Sequence, residues 1–218
     1  SPTAATTPVS DTLDTVTATL TASAGVVEGG AITYTVSLPS PVTGSAVSVT
    51  LSNGATISIP VGASSGTATV TATDDVYTGG GSAAATITAL SGGNFENLVA
   101  SSAPATTTLT DDADATTVSL SATPSVAEGG SIVYTAALTN PTDTAMSVTL
   151  SNGAVINIAA GASTGSVSVA APTDDVYLDA GSVSATIAST SGGNFEALVV
   201  SPTAATTPVS DTLDTVTA

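Results

Sequence analysis

The chain has 218 residues and a formal net charge of −17, because it contains 17 Asp and Glu residues and no Lys, Arg or His. Without basic side chains it cannot form internal salt bridges or clamp a phosphate, and its charge repels nucleic acid and anionic membranes. The partner with a complementary charge is a cation. Ca²⁺ is the hard cation that typically takes six to eight oxygen ligands.

The composition also limits the cellular setting. There is no cysteine, so no disulfide framework or thiolate metal site can form. The sequence contains no secretory h-region and no apolar run long enough to span a bilayer, and we do not expect membrane insertion. Because it begins at Ser1 without a methionine, the sequence is expected to be a fragment of a longer protein. Apolar residues make up 42% of it, which is enough for a packed core.

Internal repetition is the strongest signal in the sequence, with a period of about 100 residues. The stretch "SPTAATTPVSDTLDTVTA" starts at Ser1 and returns from Ser201 letter for letter. The stretch "VVEGGAITYT" around Glu28 returns as "VAEGGSIVYT" around Glu128, and "SGGNFENLV" returns as "SGGNFEALV". This period is typical of whole domains in tandem rather than of solenoid units.

Taken in chain order, the first repeat shows period-two alternation of apolar and polar residues in seven segments. In "AITYTVSL", for example, Ile32, Tyr34 and Val36 share one face. Asn53 and Gly54 form an "NG" pair that predicts a hairpin turn. The expected strands are residues 15–23, 31–38, 46–51, 55–59, 67–73, 83–90 and 97–109.

These patterns predict an all-β fold with two tandem seven-stranded antiparallel immunoglobulin-like β-sandwiches. The Cys and Trp residues typical of true immunoglobulin domains are absent, so only the architecture is inferred. We expect domains at residues 12–111 and 112–211. Residues 1–11 would be the last strand and linker of a preceding repeat, and 212–218 the start of a following one. Residues 1–10 lack their parent domain, so we expect them to be disordered or to pair with another chain.

The acidic residues are expected to gather at one end of each sandwich. If successive strands run up and down, the connections after the first, third and fifth strands meet the end of the seventh strand there. Glu28 lies in the first of these connections, Asp74 and Asp75 follow the fifth strand, and Asp111 begins the outgoing linker. Thirteen of the seventeen acids fall into such clusters: Asp11, Asp14, Glu28, Asp74, Asp75, Asp111, Asp112, Asp114, Glu128, Asp174, Asp175, Asp211 and Asp214.

Clustered carboxylates repel one another and raise one another's pKa unless a cation neutralises them. The sequence therefore predicts Ca²⁺ bound by these thirteen residues and stiffening the linkers. The alternative is that Asp-Asp and Asp-x-x-Asp are ordinary polar turns. Asp179, Glu96 and Glu196 are interpreted as loop or solvated turn acids. The four tyrosines at positions 34, 77, 134 and 177 are interpreted as core or edge packing.

The motifs "VVEGG", "VTLSNGATISIPVGASSGTATV", "TDDVY" and "SGGNFENLV" resemble the tandem immunoglobulin-like extender repeats of large RTX adhesins. These Gram-negative surface proteins are secreted by the type I route and include biofilm and ice-binding adhesins. More loosely, the chain resembles the Calx-β arrangement of calcium-binding acids. Thr78 stands where that arrangement has an acid, so the chain departs from the full Calx-β set of ligands at this position.

The resemblance implies an extracellular, cell-surface spacer that projects an adhesive tip for biofilm formation or surface attachment. Its implied partners are calcium ions and neighbouring repeats of the same chain, with a monomeric chain and end-to-end contacts. The alternative is that the repeats themselves bind carbohydrate, ice or another cell's adhesin. An enzyme is not expected, since no His, Cys or Lys is available as base or nucleophile.

Overall fold

The computed structural model describes residues 2–216, and every regular element in that range is a β-strand. No described segment forms a helix long and apolar enough to cross a membrane. The chain divides into two structural units. Unit 1 contains the chain up to Asp74 together with Gly79–Thr110, and unit 2 contains Asp75–Thr78 and the chain from Asp111 onward.

Unit 1 contains ten strand segments. The strands of unit 1 are β1 Thr15–Ala22, β2 Gly25–Val27, β3 Ala31–Ser37, β4 Val47–Leu51, β5 Thr56–Ile59, β6 Ser65–Thr71, β7 Ser82–Ala85, β8 Ile87–Gly92, β9 Asn97–Ala100 and β10 Ala105–Thr110. In several of them, such as β3, β5, β6 and β10, the side chains alternate between a more buried and a more exposed face.

The strands of unit 1 form two layers. One layer is the sheet β6-β3-β1-β9. The other combines the sheets β2-β10-β7 and β5-β4-β8, which continue into each other because Thr86 alone separates β7 from β8. Most neighbours are antiparallel, but β1 pairs with β9 and β2 with β10 in parallel.

Unit 2 repeats this arrangement strand for strand. The strands of unit 2 are β11 Ala115–Ala122, β12 Val126–Ala127, β13 Ser131–Leu138, β14 Met146–Leu150, β15 Val155–Ile158, β16 Thr164–Ala170, β17 Gly181–Ala185, β18 Ile187–Gly192, β19 Ala197–Val200 and β20 Ala205–Ser210. Its sheets are β16-β13-β11-β19, β12-β20-β17 and β15-β14-β18.

Each unit has its own core between the two layers. In unit 1, Tyr34 of β3 and Val49 of β4 belong to one buried cluster. In unit 2, Tyr134 and Val148 occupy the matching positions of a second cluster. Because aliphatic side chains fill the rest, burial of apolar surface is the main stabilising contribution in a chain that has no disulfide.

The all-β sandwich prediction is confirmed, and the structure refines the strands. Predicted strand 83–90 is divided at Thr86, and predicted strand 97–109 is divided between Asn97–Ala100 and Ala105–Thr110. Residues 2–14 carry no strand assignment. The predictions for residues 1, 217 and 218 lie outside the described residues. Unexpectedly, Asp75–Thr78 lies inside the predicted first domain in sequence but belongs to unit 2.

Candidate metal centre

Three connections of unit 2 meet at one end of the sandwich. The Glu128 N–H donates to the Ser210 carbonyl at 3.0 Å, which ties the loop after β12 to the end of β20. The neighbouring Gly129 N–H donates to the Pro172 carbonyl at 2.7 Å, so the segment after β16 joins the same end. Residues far apart in sequence are thereby held side by side.

Glu128, Asp179 and Asp211 bring their carboxylates together at this end. Each offers an oxygen, and these oxygens all lie within 4.8 Å of one another. Glu128 and Asp211 are half-buried, whereas Asp179 is exposed. Within the described residues, Glu128 Oε2 and Asp211 Oδ1 are buried oxygens that accept no hydrogen bond. Since a buried polar atom without a partner is costly, this donor set fits a hard cation.

The pKa of Glu128 reflects its burial and the repulsion among these carboxylates. Burial raises the pKa of Glu128 above its ordinary value, and the hydrogen bond and negative charge of Asp179 raise it further. The charges of Asp211 and Asp175 add to the same effect. No basic side chain exists to oppose them. Either a proton or a metal ion would relieve this repulsion.

The other predicted ligands at this end of unit 2 have different surroundings. Asp174 accepts a hydrogen bond from the Thr212 hydroxyl. Asp175 Oδ1 accepts the Tyr177 N–H at 2.8 Å, the geometry of an Asx turn, so that oxygen has a structural role. Asp214 is exposed.

The linker acids of unit 2 surround Glu196. Asp114 donates its N–H to Glu196 Oε2 at 2.9 Å, which lowers the pKa of Glu196. Burial, a hydrogen bond with Asp112 and the charges of Asp112 and Asp111 outweigh that effect, so the pKa of Glu196 is raised overall. The side chains of Asp111, Asp112 and Glu196 are therefore a second concentration of negative charge.

Unit 1 positions its predicted acids by the same backbone contacts. The Glu28 N–H donates to the Thr110 carbonyl at 2.9 Å, and the Gly29 N–H donates to Thr73 at 3.3 Å. Gly29 has φ 67°, and a Cβ there would lie 3.4 Å from the Asp74 carboxylate. The positive φ, rather than the contact distance, favours glycine where the loops carrying Glu28 and Asp74 meet.

The linker entering unit 1 has its own carboxylate partner. The Thr12 N–H donates to Asp11 Oδ1 at 3.1 Å, and the Asp14 N–H donates to Glu96 Oε2. Asp75, the remaining predicted ligand, belongs to unit 2 and accepts the Tyr77 N–H at 2.8 Å through its Oδ1.

Three acids outside the predicted ligand set contact predicted ligand residues. Asp179 was interpreted as a loop acid, but its carboxylate joins Glu128 and Asp211. Glu96 and Glu196 were interpreted as solvated turn residues, yet each accepts a linker N–H. Glu96 and Glu196 could have been identified from the sequence, because both occur in the repeated motif "GGNFE". Asp179 has no acidic counterpart in the first repeat, so no such signal existed.

Together, fold and site define a tandem all-β repeat protein with clustered, uncompensated carboxylates. The LapA domain family model matches residues 14–112 and again 114–212. The chain therefore belongs to the LapA domain family and consists mainly of two such domains, which indicates an adhesin-type repeat of a cell-surface or extracellular protein. This is a non-enzymatic kind of domain.

Among solved structures, the chain is similar to the fibronectin(III)-like modules of Clostridium thermocellum CbhA. The identity is 14%, the alignment covers 89% of this chain and 94% of that one, and the TM-score is 0.25. No curated protein matches the sequence.

Proposed function

We propose that this chain is a calcium-rigidified extender segment of a large Gram-negative, type I secreted RTX adhesin, which projects an adhesive tip from the cell for surface attachment and biofilm formation. The observation that carries the proposal is the convergence of Glu128, Asp179 and Asp211, with oxygens within 4.8 Å of one another, in a chain without a single basic residue. Such a set of oxygens repels itself until a cation binds.

The expected affinity suits an extracellular setting. Extracellular calcium modules typically bind with a dissociation constant of about 10⁻⁴–10⁻³ M. A site filled at 100-fold excess over that constant would add about 2.7 kcal/mol to the free energy of unfolding. Since a domain is typically stable by only about 5–15 kcal/mol, a few such sites would decide whether it folds.

The calcium hypothesis is tested by calorimetric titration and thermal unfolding with Ca²⁺ or with EDTA. We expect Ca²⁺ to raise the melting temperature, and Glu128→Gln to reduce both the bound heat and that rise. Asp143→Asn is the matched control, since it also removes one negative charge, Asp143 does not belong to the Glu128 cluster, and an Asn oxygen can still accept the Asn194 amide. A melting temperature that does not respond to Ca²⁺ or to EDTA would contradict the proposal.

The spacer role has a separate readout. Ions bound by the linker acids would restrict bending of the linkers. Solution scattering should therefore give a longer particle in Ca²⁺ than in EDTA. The alternative, that the repeats themselves bind a ligand, is tested by glycan-array and ice-recrystallisation assays on the same chain. Binding there, with particle length independent of calcium, would favour the alternative.

A further inference from the structure

The segment Asp75–Thr78 of unit 2 packs on the turn that follows β18. Tyr77 forms an antiparallel β-bridge with Phe195. The Thr78 N–H donates to the Asn194 carbonyl at 2.9 Å, and the Glu196 N–H donates to the Val76 carbonyl at 3.1 Å. The segment therefore adds a short strand to the exposed backbone of the turn, which is the chemistry of β-augmentation.

Side chains reinforce this backbone pairing. The Tyr77 ring stacks on Phe195, with centroids 5.8 Å apart and planes inclined at 29°. The Tyr77 hydroxyl donates to the Pro141 carbonyl at 2.8 Å. The Asn194 amide donates to the Thr78 carbonyl at 3.1 Å, while the Thr78 hydroxyl donates to Asn194 Oδ1 at 3.0 Å. Peptide groups, rings and side-chain amides all contribute, and none of these contacts requires a metal.

The equivalent segment of the second repeat has the same local turn but no such cover. Tyr177 follows Asp175 with the same Asx hydrogen bond that Tyr77 makes with Asp75. Its apolar side chains are nevertheless solvent-accessible: Val176 is 56% exposed, Tyr177 72% and Leu178 86%. Three consecutive large apolar side chains in water indicate an unpartnered interaction surface.

The matching turn of the first repeat is also uncovered. The sequence "SGGNFE" is the same at residues 91–96 and 191–196, and Pro41 corresponds to Pro141. Gly193 is buried and Asn194 half-buried, whereas Gly93 is half-buried and Asn94 exposed. The contrast shows what the Tyr77 segment covers in unit 2.

We propose that the exposed segment Asp175–Leu178 docks on the turn Asn94–Glu96 of a second copy of this repeat, as Asp75–Thr78 packs within unit 2. The Tyr177 ring would stack on Phe95, and its hydroxyl would reach the Pro41 carbonyl. Leu178 lacks the hydroxyl of Thr78, so one side-chain hydrogen bond is lost. The contact is weak between separate molecules, but tethering in a tandem array raises its effective concentration.

This docking goes beyond the calcium hypothesis and does not depend on it. Engineered cysteines test it, because the natural chain contains none. The double variant Asn94→Cys/Leu178→Cys, under mild oxidation, should form ladders of head-to-tail disulfide-linked chains in both Ca²⁺ and EDTA. The variant Thr78→Cys/Asn194→Cys, whose parent side chains are hydrogen-bonded, is the intrachain positive control.

The matched negative control is Val27→Cys/Leu178→Cys, since Val27 is 48% exposed and pairs with Thr110 rather than with the turn. Ladder formation by Asn94→Cys/Leu178→Cys should be about tenfold faster than in this control, and adding Tyr177→Ala should remove that advantage. Tyr177 and Leu178 are exposed, so their replacement leaves the core intact. Equal ladder rates in the two cysteine pairs, or rates indifferent to Tyr177→Ala, would overturn the docking proposal. Ladder formation as expected, together with a melting temperature that does not respond to Ca²⁺ or EDTA, would instead overturn the calcium proposal alone.

Discussion

The Asp114 N–H donates a 2.9 Å hydrogen bond to Glu196 Oε2, so the linker entering unit 2 is tied to a turn 82 residues later in the chain. In unit 1 the Asp14 N–H makes the same contact with Glu96, also across 82 residues. A glutamate at the end of "SGGNFE" thus fixes the start of each domain through a backbone donor. The N–H needs an acceptor oxygen at this position but not a negative charge. A substitution that keeps the oxygen should therefore differ in effect from one that removes it.

Replacing Glu196 should distinguish hydrogen bonding from charge. In EDTA, Glu196→Gln keeps an oxygen that can accept the Asp114 N–H and removes the repulsion from Asp112, so the melting temperature should rise. Glu196→Ala also removes the repulsion but leaves the Asp114 N–H without its acceptor, so it should be less stable than Glu196→Gln. Thermal unfolding followed by circular dichroism measures both. The opposite order of the two variants would show that the hydrogen bond does not hold the linker.

Stability without calcium should increase as the pH falls from neutrality. Burial raises the pKa of Glu128 above the ordinary value of 4.5. The pKa of Glu196 is also raised, although the Asp114 hydrogen bond opposes the shift. A carboxyl with a higher pKa in the folded chain binds its proton more tightly there. Its contribution therefore grows as the pH falls towards 4.5 and is lost as the pH rises through the raised pKa.

Melting temperatures in EDTA at pH 7 and pH 5 measure this effect, and we expect the higher value at pH 5. In Ca²⁺ the order should reverse, because protons compete with the metal for the same oxygens. The double variant Glu128→Gln/Glu196→Gln should flatten the pH dependence in EDTA. If the melting temperature of that variant depends on pH as strongly as before, other groups are responsible for the pH dependence.

The fold was predictable because period-two alternation survives in the structure. Ile32, Tyr34 and Val36 are buried on one face of β3, as their spacing predicted. The breaks within strands were not predictable, since Thr86 looks like any other strand residue. The packing of Tyr77 on Phe195 was equally hidden, because "TDDVY" is the same in both repeats while its surroundings differ.

The candidate site was only partly accessible from the sequence. Up-and-down topology predicted that Glu128 and Asp211 would lie at one end of a sandwich, and they do lie together. The same reasoning assigned Glu196 to the other end and left it without a partner. It did not consider that the incoming linker residue Asp114 reaches that end. Sequence patterns place residues on strands well, but they do not give the path of a linker.

Removing the Tyr134 hydroxyl should not destabilise unit 2. Tyr134 is fully buried, burial raises the pKa of its phenol, and its hydroxyl has no hydrogen-bond partner among the described residues. Tyr134→Phe removes a desolvated polar atom and leaves the ring packing, so the free energy of unfolding should stay level or rise by about 1 kcal/mol. Tyr134→Ala, which deletes the ring, should lower it by about 3–5 kcal/mol. Urea unfolding compares the two, and a clear loss in Tyr134→Phe would reveal a partner for the hydroxyl.

Gly192 should be among the least replaceable residues of unit 2, because a side chain there would overlap a neighbouring backbone carbonyl. Gly153 serves as the comparison, since it has a similar φ but no such neighbour. Both have positive φ, 83° and 84° respectively, so alanine at either position costs about 1–2 kcal/mol of backbone strain. A Cβ at Gly192 would also overlap the Ala145 carbonyl, whereas at Gly153 nothing lies within 4 Å. Overpacking typically adds about 1–3 kcal/mol, and the carbonyl belongs to the backbone beside β14, so it cannot move aside cheaply.

We therefore expect Gly192→Ala to lower the free energy of unfolding by clearly more than Gly153→Ala, as measured by urea denaturation in Ca²⁺. The two variants share the change in side chain and the sign of φ, so their difference reports the steric overlap where β14 meets β18. Equal losses would mean that β14 shifts to accommodate the methyl group. In that case the register between Met146 and Gly192 is set by the surrounding strand pairs rather than by the close approach of the backbones.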